Sequence, residues 1–415
     1  MLSNAVATGL ALVSVASAAK QCLNQTVPVD VESRNAVFDA NTIPHSNIDV
    51  TWFIQNLTRN GHNFTDEALT GYHTVSGTYN ISTQYCWDDR TASDNTTLQI
   101  LTHGIGFDKT YWDISFHDYN YSYVNAALDA GFATLSYDRL GTGQSQHGDP
   151  LNEIQINIEI AALRALTEQA RDGSFPGVNT SYSSVVHVGH SFGSIQSYIL
   201  AALYPNITDG LVLTGFSLNS TFNPSFLAGG NFQQASINAP LRFGSPGLAQ
   251  TVEDFLFQSS PLYDWVAPVD LTALPAPLDL PDGYITIANS GANQYQFFLP
   301  PFFDEDILAL AERTKQPVAV GELLTIASAP AVNDFDGPVL VFTGAGDLPF
   351  CGGDCLETGG VAPSIPAQVQ DSFPNVDPSD FLAYIQPNTG HGLTTHYNAT
   401  AGYDVISDWL SDHGF

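Results

Sequence analysis

The run Ser184-Val185-Val186-His187-Val188-Gly189-His190-Ser191-Phe192-Gly193-Ser194 constrains this chain more than any other stretch. A β-branched apolar strand enters Gly-His-Ser-Phe-Gly, and a helix-prone segment at 195–204 leaves it. A strand that reverses directly into a helix has no room for side chains two residues before and two after the turn, hence Gly189 and Gly193. Such a bend lifts the Ser191 hydroxyl clear of the sheet and aims the Phe192 N–H at the same point. The five-residue pattern is common by chance in Gly- and Ser-rich sequence, so its surroundings must carry the reading.

From residue 97 onward, apolar runs at 97–102, 132–137, 184–188, 210–216, 338–343 and 381–386 alternate with helical patterns. This predicts an α/β fold: a mostly parallel central sheet with helices on both faces. Ile156, Ile160 and Leu163 recur at helical spacing and predict a helix ending near Arg171, and a last helix is expected over 393–410. Residues 20–96 differ, with polar turns and an alternating stretch near 74–87 that suggests a β-hairpin leading into the sheet. Residues 218–335 break the rhythm altogether. The segment is rich in Phe, Tyr and Pro and separates two strands that would otherwise be neighbours, so it is expected to be an inserted, mainly helical or irregular cap. The expected organisation is 1–19 as a signal peptide, 20–217 as the first part of the core with an N-terminal extension at 20–73, 218–335 as the cap and 336–415 as the rest of the core.

The signal-peptide expectation rests on an apolar stretch from Ala5 to Val15 followed by Ala16-Ser17-Ala18, although no Lys or Arg precedes it. That stretch is too short to span a bilayer, and stable membrane insertion is not expected. Ten N-x-S/T sequons, at Asn24, Asn56, Asn63, Asn80, Asn95, Asn120, Asn179, Asn206, Asn219 and Asn398, fit export and N-glycosylation; composition alone would give about four. Of the four cysteines, Cys351 and Cys355 flank a turn and can pair locally, which leaves Cys22 for Cys86. Proximity favours this pairing among the three possible. A zinc site lacks a second C-x-x-C or a nearby His. The formal net charge of −31, with only 11 Lys and Arg, excludes nucleic acid or an anionic membrane as natural partner. The acidic residues are spread along the chain and read as a solvated surface.

On these motifs, residues 74–415 resemble the α/β-hydrolase family, whose chain order is nucleophile, acid, histidine. The resemblance implies Ser191 as nucleophile, Asp347 as acid in Gly344-Ala345-Gly346-Asp347, and His391 as base in Gly390-His391-Gly392. Asp354 lies in the same loop as Asp347 and is the competing acid, while His396 and His413 are expected inside the last helix, too late to be the base. His103-Gly104-Ile105-Gly106 matches the family's H-G-x pattern, which makes the N–H of Ile105 the second oxyanion donor beside Phe192. Asp138-Arg139-Leu140-Gly141-Thr142-Gly143-Gln144-Ser145 resembles the family's D-x-x-G-x-G-x-S loop and reads as structural, since no Walker pattern accompanies it.

The activity so implied is a secreted serine hydrolase acting on carboxylic esters or lactones through an acyl-Ser191 intermediate, with no cofactor or metal. The cap's only basic residues are Arg242, Arg313 and Lys315, which favours a neutral, apolar small-molecule substrate. Related members cleave peptides or transfer acyl groups, and Asp304, Glu305 and Asp306 could grip a peptide's amine. A serine at this turn argues against the epoxide hydrolase and dehalogenase branches, whose nucleophile resembles Asp. A non-catalytic binding protein on the same fold is the rival from another class. Nothing in the sequence sets the oligomeric state.

Overall fold

The computed structural model describes residues 20–89, 96–178, 180–248, 251 and 276–415. The expected signal peptide and the sequons at Asn95 and Asn179 lie outside the described residues.

Six short strands are apolar enough to be sheet interior. They are β3 (Leu98–Thr102), β4 (Ala133–Tyr137), β5 (Val185–His190), β6 (Gly210–Thr214), β10 (Val339–Gly344) and β11 (Phe381–Gln386). All but β11, an edge strand, are buried at every position, as a sheet covered on both faces requires. Two long strands precede them, β1 (Gln21–Phe38) and β2 (Leu69–Trp87). The eight strands run in the order β1-β2-β4-β3-β5-β6-β10-β11, antiparallel at β1/β2 and β2/β4 and parallel elsewhere. This is the expected α/β architecture.

The expected hairpin near 74–87 needs correcting. That stretch belongs to the single 19-residue strand β2, and its partner is β1, with Cys22 opposite Cys86. Alternation reports a half-buried strand but not the identity of its partner, which lies two helices away in sequence. Strand β1 thus makes the N-terminal residues an edge of the main sheet. Its open side is covered by side-chain amides: Gln155 bonds both the N–H and the C=O of Ala36, each at 2.9 Å, and Asn152 Oδ1 accepts from Phe38 N at 2.8 Å. Such cover removes a template for edge-to-edge pairing.

The helix foreseen at 156–171 runs Ile156–Asp172 and stops at Gly173, in the left-handed region (φ 76°). The last helix, expected over 393–410, is Ala399–Asp412. A 3-10 turn, Leu393–Thr395, precedes it, where Thr395 Oγ1 and His396 Nδ1 both donate to Gly392 O and hold the chain out of the helical path. His396 is therefore buried ahead of the helix, not within it.

Between β6 and β10 the chain builds a second layer. A three-stranded antiparallel sheet, β7 (Gln233–Gln234), β8 (Tyr284–Thr286) and β9 (Val318–Ala319), sits among the helices Asn223–Gly230, Ser290–Phe297, Glu305–Thr314 and Val320–Thr325. Because β4 and β5 both flank β3, strand order reverses there, the point in such a sheet where the loops beyond the carboxyl ends of the strands carry the ligand-facing groups. His103-Gly104-Ile105 leaves β3 at that point and Ser191 follows β5.

Candidate active site

Ser191 sits between β5 and the helix Phe192–Leu203 with φ 56° and ψ −118°. A non-glycine residue held there stores strain of about 1–3 kcal/mol, so the turn must be held from several sides. Ser191 N and Ser194 Oγ both donate to Thr214 O, at 2.9 and 2.7 Å. A Cβ on Gly189 would lie 2.5 Å from Gly193 O, and one on Gly193 would collide with Thr102 O. Both glycines are steric necessities of this turn.

The three residues proposed from sequence meet. His391 Nε2 is 2.8 Å from Ser191 Oγ, and His391 Nδ1 is 2.6 Å from Asp347 Oδ2. With the carboxylate facing Nδ1, that nitrogen carries the proton, which leaves the Nε2 lone pair to accept from the serine hydroxyl. Asp347 Oδ1 accepts from Phe350 N at 3.0 Å, and Gly353 N donates to Asp347 O. Both carboxylate oxygens are thus occupied. The competing acid, Asp354, is exposed and accepts from Leu356 N instead. Two disulfides are formed, Cys351–Cys355 and Cys22–Cys86, and the first closes the loop that carries Asp347.

Aromatic rings enclose the imidazole. Phe297 stacks on His391 at 5.8 Å between centroids, Phe226 meets it edge-on at 5.9 Å, and Phe350 lies at 5.8 Å. His190, also buried, lies 4.9 Å away, and burial next to His391 holds its pKa well below the ordinary histidine value. It therefore stays neutral beside His391.

His396 was missed by sequence reasoning. Its Nε2 accepts from Gly390 N and Leu299 N, both at 3.0 Å, and its Nδ1–H donates to Gly392 O. One ring thereby pins both residues flanking His391, and burial keeps its pKa down at about 4. No local pattern marks such a role, because Leu299 is nearly a hundred positions away.

Phe192 N is among the first helical N–H groups, which have no intrahelical acceptor. The backbone after β3 runs against Ser191: a Cβ on Gly104 would lie 2.9 Å from Ser191 Cβ. Ile105, next in the chain, is buried, and its N–H donates to no acceptor among the described residues. Gly106 O accepts from Gln316 N at 3.0 Å, and Gln316 Nε2 donates to Asp108, so the 218–335 segment braces this turn. Asp138 is a structural acceptor, bonded to Lys109 N, Gln144 N and Lys109 Nζ. Among the described residues no group of His, Cys, Asp or Glu could hold a metal ion.

Two of the three cations foreseen at 218–335, Arg242 and Lys315, are tied up locally, while Arg313 is exposed. Arg242 donates to the carbonyls of Arg313 and Lys315, and buried Lys315 bonds Glu312 and Ile287 O. Of the acids, Asp304 caps the helix Glu305–Thr314, and Glu305 and Asp306 are exposed. None of the eight described sequon asparagines is buried; Asn398 is the least available, since its amide bonds Pro387 O and its carbonyl accepts from Thr389.

Strand order, the serine turn and the order of the three side chains define a hydrolase of one family. The chain belongs to the alpha/beta hydrolase family, whose sequence profile matches residues 99–402. No curated protein sequence matches it. Among solved structures it is similar to a thermophilic esterase from Thermogutta terrifontis, at 14% identity, TM-score 0.45 and coverage of 82% of this chain and 96% of that one. It is also similar to a monoacylglycerol lipase from Paleococcus ferrophilus (15%, TM-score 0.44, coverage 77% and 97%). Epoxide Hydrolase A from Mycobacterium thermoresistibile is a further match (17%, TM-score 0.42, coverage 80% and 95%). Likeness at that level says nothing of this chain's own reaction.

Proposed function

We propose that this hydrolase is a secreted serine esterase, cleaving carboxylic esters or lactones of apolar small molecules through an acyl-Ser191 intermediate. The observation that carries the reading is the pair of hydrogen bonds on His391, 2.8 Å to Ser191 Oγ and 2.6 Å to Asp347 Oδ2. Ser191 Oγ attacks the carbonyl carbon while its proton passes to His391 Nε2. The carbonyl oxygen, now anionic, is stabilised by the N–H groups of Phe192 and Ile105. Collapse of the tetrahedral species expels the alkoxide, which takes the proton back from His391, and water then repeats the sequence in reverse. Asp347 holds the imidazole tautomer and stabilises the imidazolium.

Support for an apolar substrate comes from the rings around His391, one of which, Phe350, also lines a cavity of about 370 Å³. Ile195, Phe216, Leu218, Ile326 and Ala329 line it together with Ser217, Asn219, Ser220 and Asn223, and no charged side chain does. In this reading 218–335 is a cap over the core. Secretion is supported by the N-terminal apolar stretch, the sequons and the two disulfides. No helix among the described residues is long and apolar enough to cross a membrane.

A fluorophosphonate probe tests the reading. The expected result is covalent labelling at Ser191, lost in Ser191→Ala together with hydrolysis of short-chain aryl esters. An unlabelled wild type that hydrolyses no such ester would overturn it in favour of a binding role.

A further inference from the structure

Arg139 is fully buried, and the reaction as written does not use it. Its surroundings reach both oxyanion strands. On one side its backbone N–H donates to His103 Nε2 at 3.0 Å, while His103 Nδ1–H donates to Gly104 O at 2.9 Å. Burial and the adjacent Arg139 charge hold His103 well below the ordinary histidine pKa, so the ring is neutral and in a single tautomer. That ring fixes the peptide immediately before Ile105.

On the other side the Arg139 guanidinium lies over the Phe192 ring, with Cζ 4.7 Å from its centroid. Arg139 Nε and Nη2 meet no polar partner among the described residues, which leaves the face of Phe192 as the electrostatic partner of that part of the cation. Nη1 is held by Glu159 Oε1 at 2.7 Å and Glu322 Oε1 at 2.5 Å. The second oxygens reach further. Glu159 Oε2 accepts from Gln196, on the helix that starts at Phe192, and Glu322 Oε2 accepts from Ala319 N. Burial and the neighbouring Glu322 push the Glu159 pKa well above the carboxylate range.

We propose that Arg139, with Glu159 and Glu322, is the positioning centre of the oxyanion pocket, setting the Phe192 and Ile105 amides relative to each other through Phe192's ring and through His103. The inference rests on the serine-hydrolase reading of Ser191. It separates Arg139 from an ordinary buried ion pair, because the two groups it orients are the two donors. A misplaced donor weakens binding of the anionic tetrahedral species and leaves binding of the neutral ester largely alone.

Arg139→Met alone strands two buried carboxyls, so the principal variant is the neutral triple Arg139→Met/Glu159→Gln/Glu322→Gln, with Phe192→Leu as a second that keeps the backbone donor and an apolar side chain. Hydrolysis of p-nitrophenyl butyrate and inhibition by an alkyl trifluoromethyl ketone, which adds to the serine as a tetrahedral oxyanion, are measured on folded protein. In the triple variant kcat should fall on the order of 100-fold with KM within about 3-fold, and ketone affinity should fall in step with kcat. Phe192→Leu should lose about 10-fold in kcat with the same signature. A cooperatively melting variant of either kind that keeps kcat and ketone affinity, or that changes KM alone, overturns the assignment. Fluorophosphonate labelling of the wild type at Ser191 separates the two readings: without it both fall, and with it only the role of Arg139 is at stake.

Discussion

At Asp347 the structure ties one carboxylate to two partners, His391 Nδ1 and Phe350 N. Asp347→Asn presents an amide that can hold the wrong imidazole tautomer while leaving the fold in place. kcat for ester hydrolysis should drop on the order of 10³–10⁴-fold with little change in melting temperature. A drop of less than 10-fold, on order of magnitude, would remove Asp347 from the relay. Ser191, His391 and Asp347 were legible in the sequence because each follows an apolar strand and sits among glycines that a tight turn demands. His396, Gln316 and Arg139 were not legible as supports. Their partners are Leu299, Gly106 and Glu322, joined to them by tertiary packing that leaves no periodic or spacing signal.

Among the elements, strand positions were recovered to within a residue or two because buried parallel strands are continuous apolar runs. Strand β2 lost its true partner, and the last helix was begun six residues early, because alternation and helical spacing are blind to where side-chain hydrogen bonds pull the backbone aside. The two disulfides brace different elements and should part company on removal. Cys22–Cys86 spans 64 positions and Cys351–Cys355 only 4; chain entropy alone assigns them about 4 and about 2 kcal/mol. Cys22→Ala/Cys86→Ala should therefore be the more destabilised in urea unfolding with kcat unchanged. Cys351→Ala/Cys355→Ala should lose kcat, through the loop holding Asp347, out of proportion to its smaller loss of stability. The reverse ranking would mean that the local bridge is ornamental to the acid.

For the molecule as a whole, acid is a threat from inside the sheet. His187 in β5 is fully buried, and burial together with Arg171 holds its pKa down at about 3, below the ordinary 6.5. The unfolded chain binds more protons between those values, so folding free energy is present above 6.5 and lost as pH falls towards 3. His103, His190, His147 and His396, all lowered by burial, act in the same direction, and Glu159, raised by burial, acts against them. Measured against His187→Leu, the wild type should lose about 1.4 kcal/mol of stability per pH unit below 6.5; a difference independent of pH would show that His187 titrates normally. The chain's formal net charge of −31 is common to both proteins and cancels in that comparison. A last consequence follows from the sheet order. Strands β6 and β10, between which residues 218–335 fall in the chain, are hydrogen-bonded neighbours running the same way. That segment can therefore vary in length without any strand changing seats, but Leu299, Gln316 and Glu322 within it bond His396, Gly106 and Arg139, so whatever replaces them must keep those contacts for the reacting groups to stay in register.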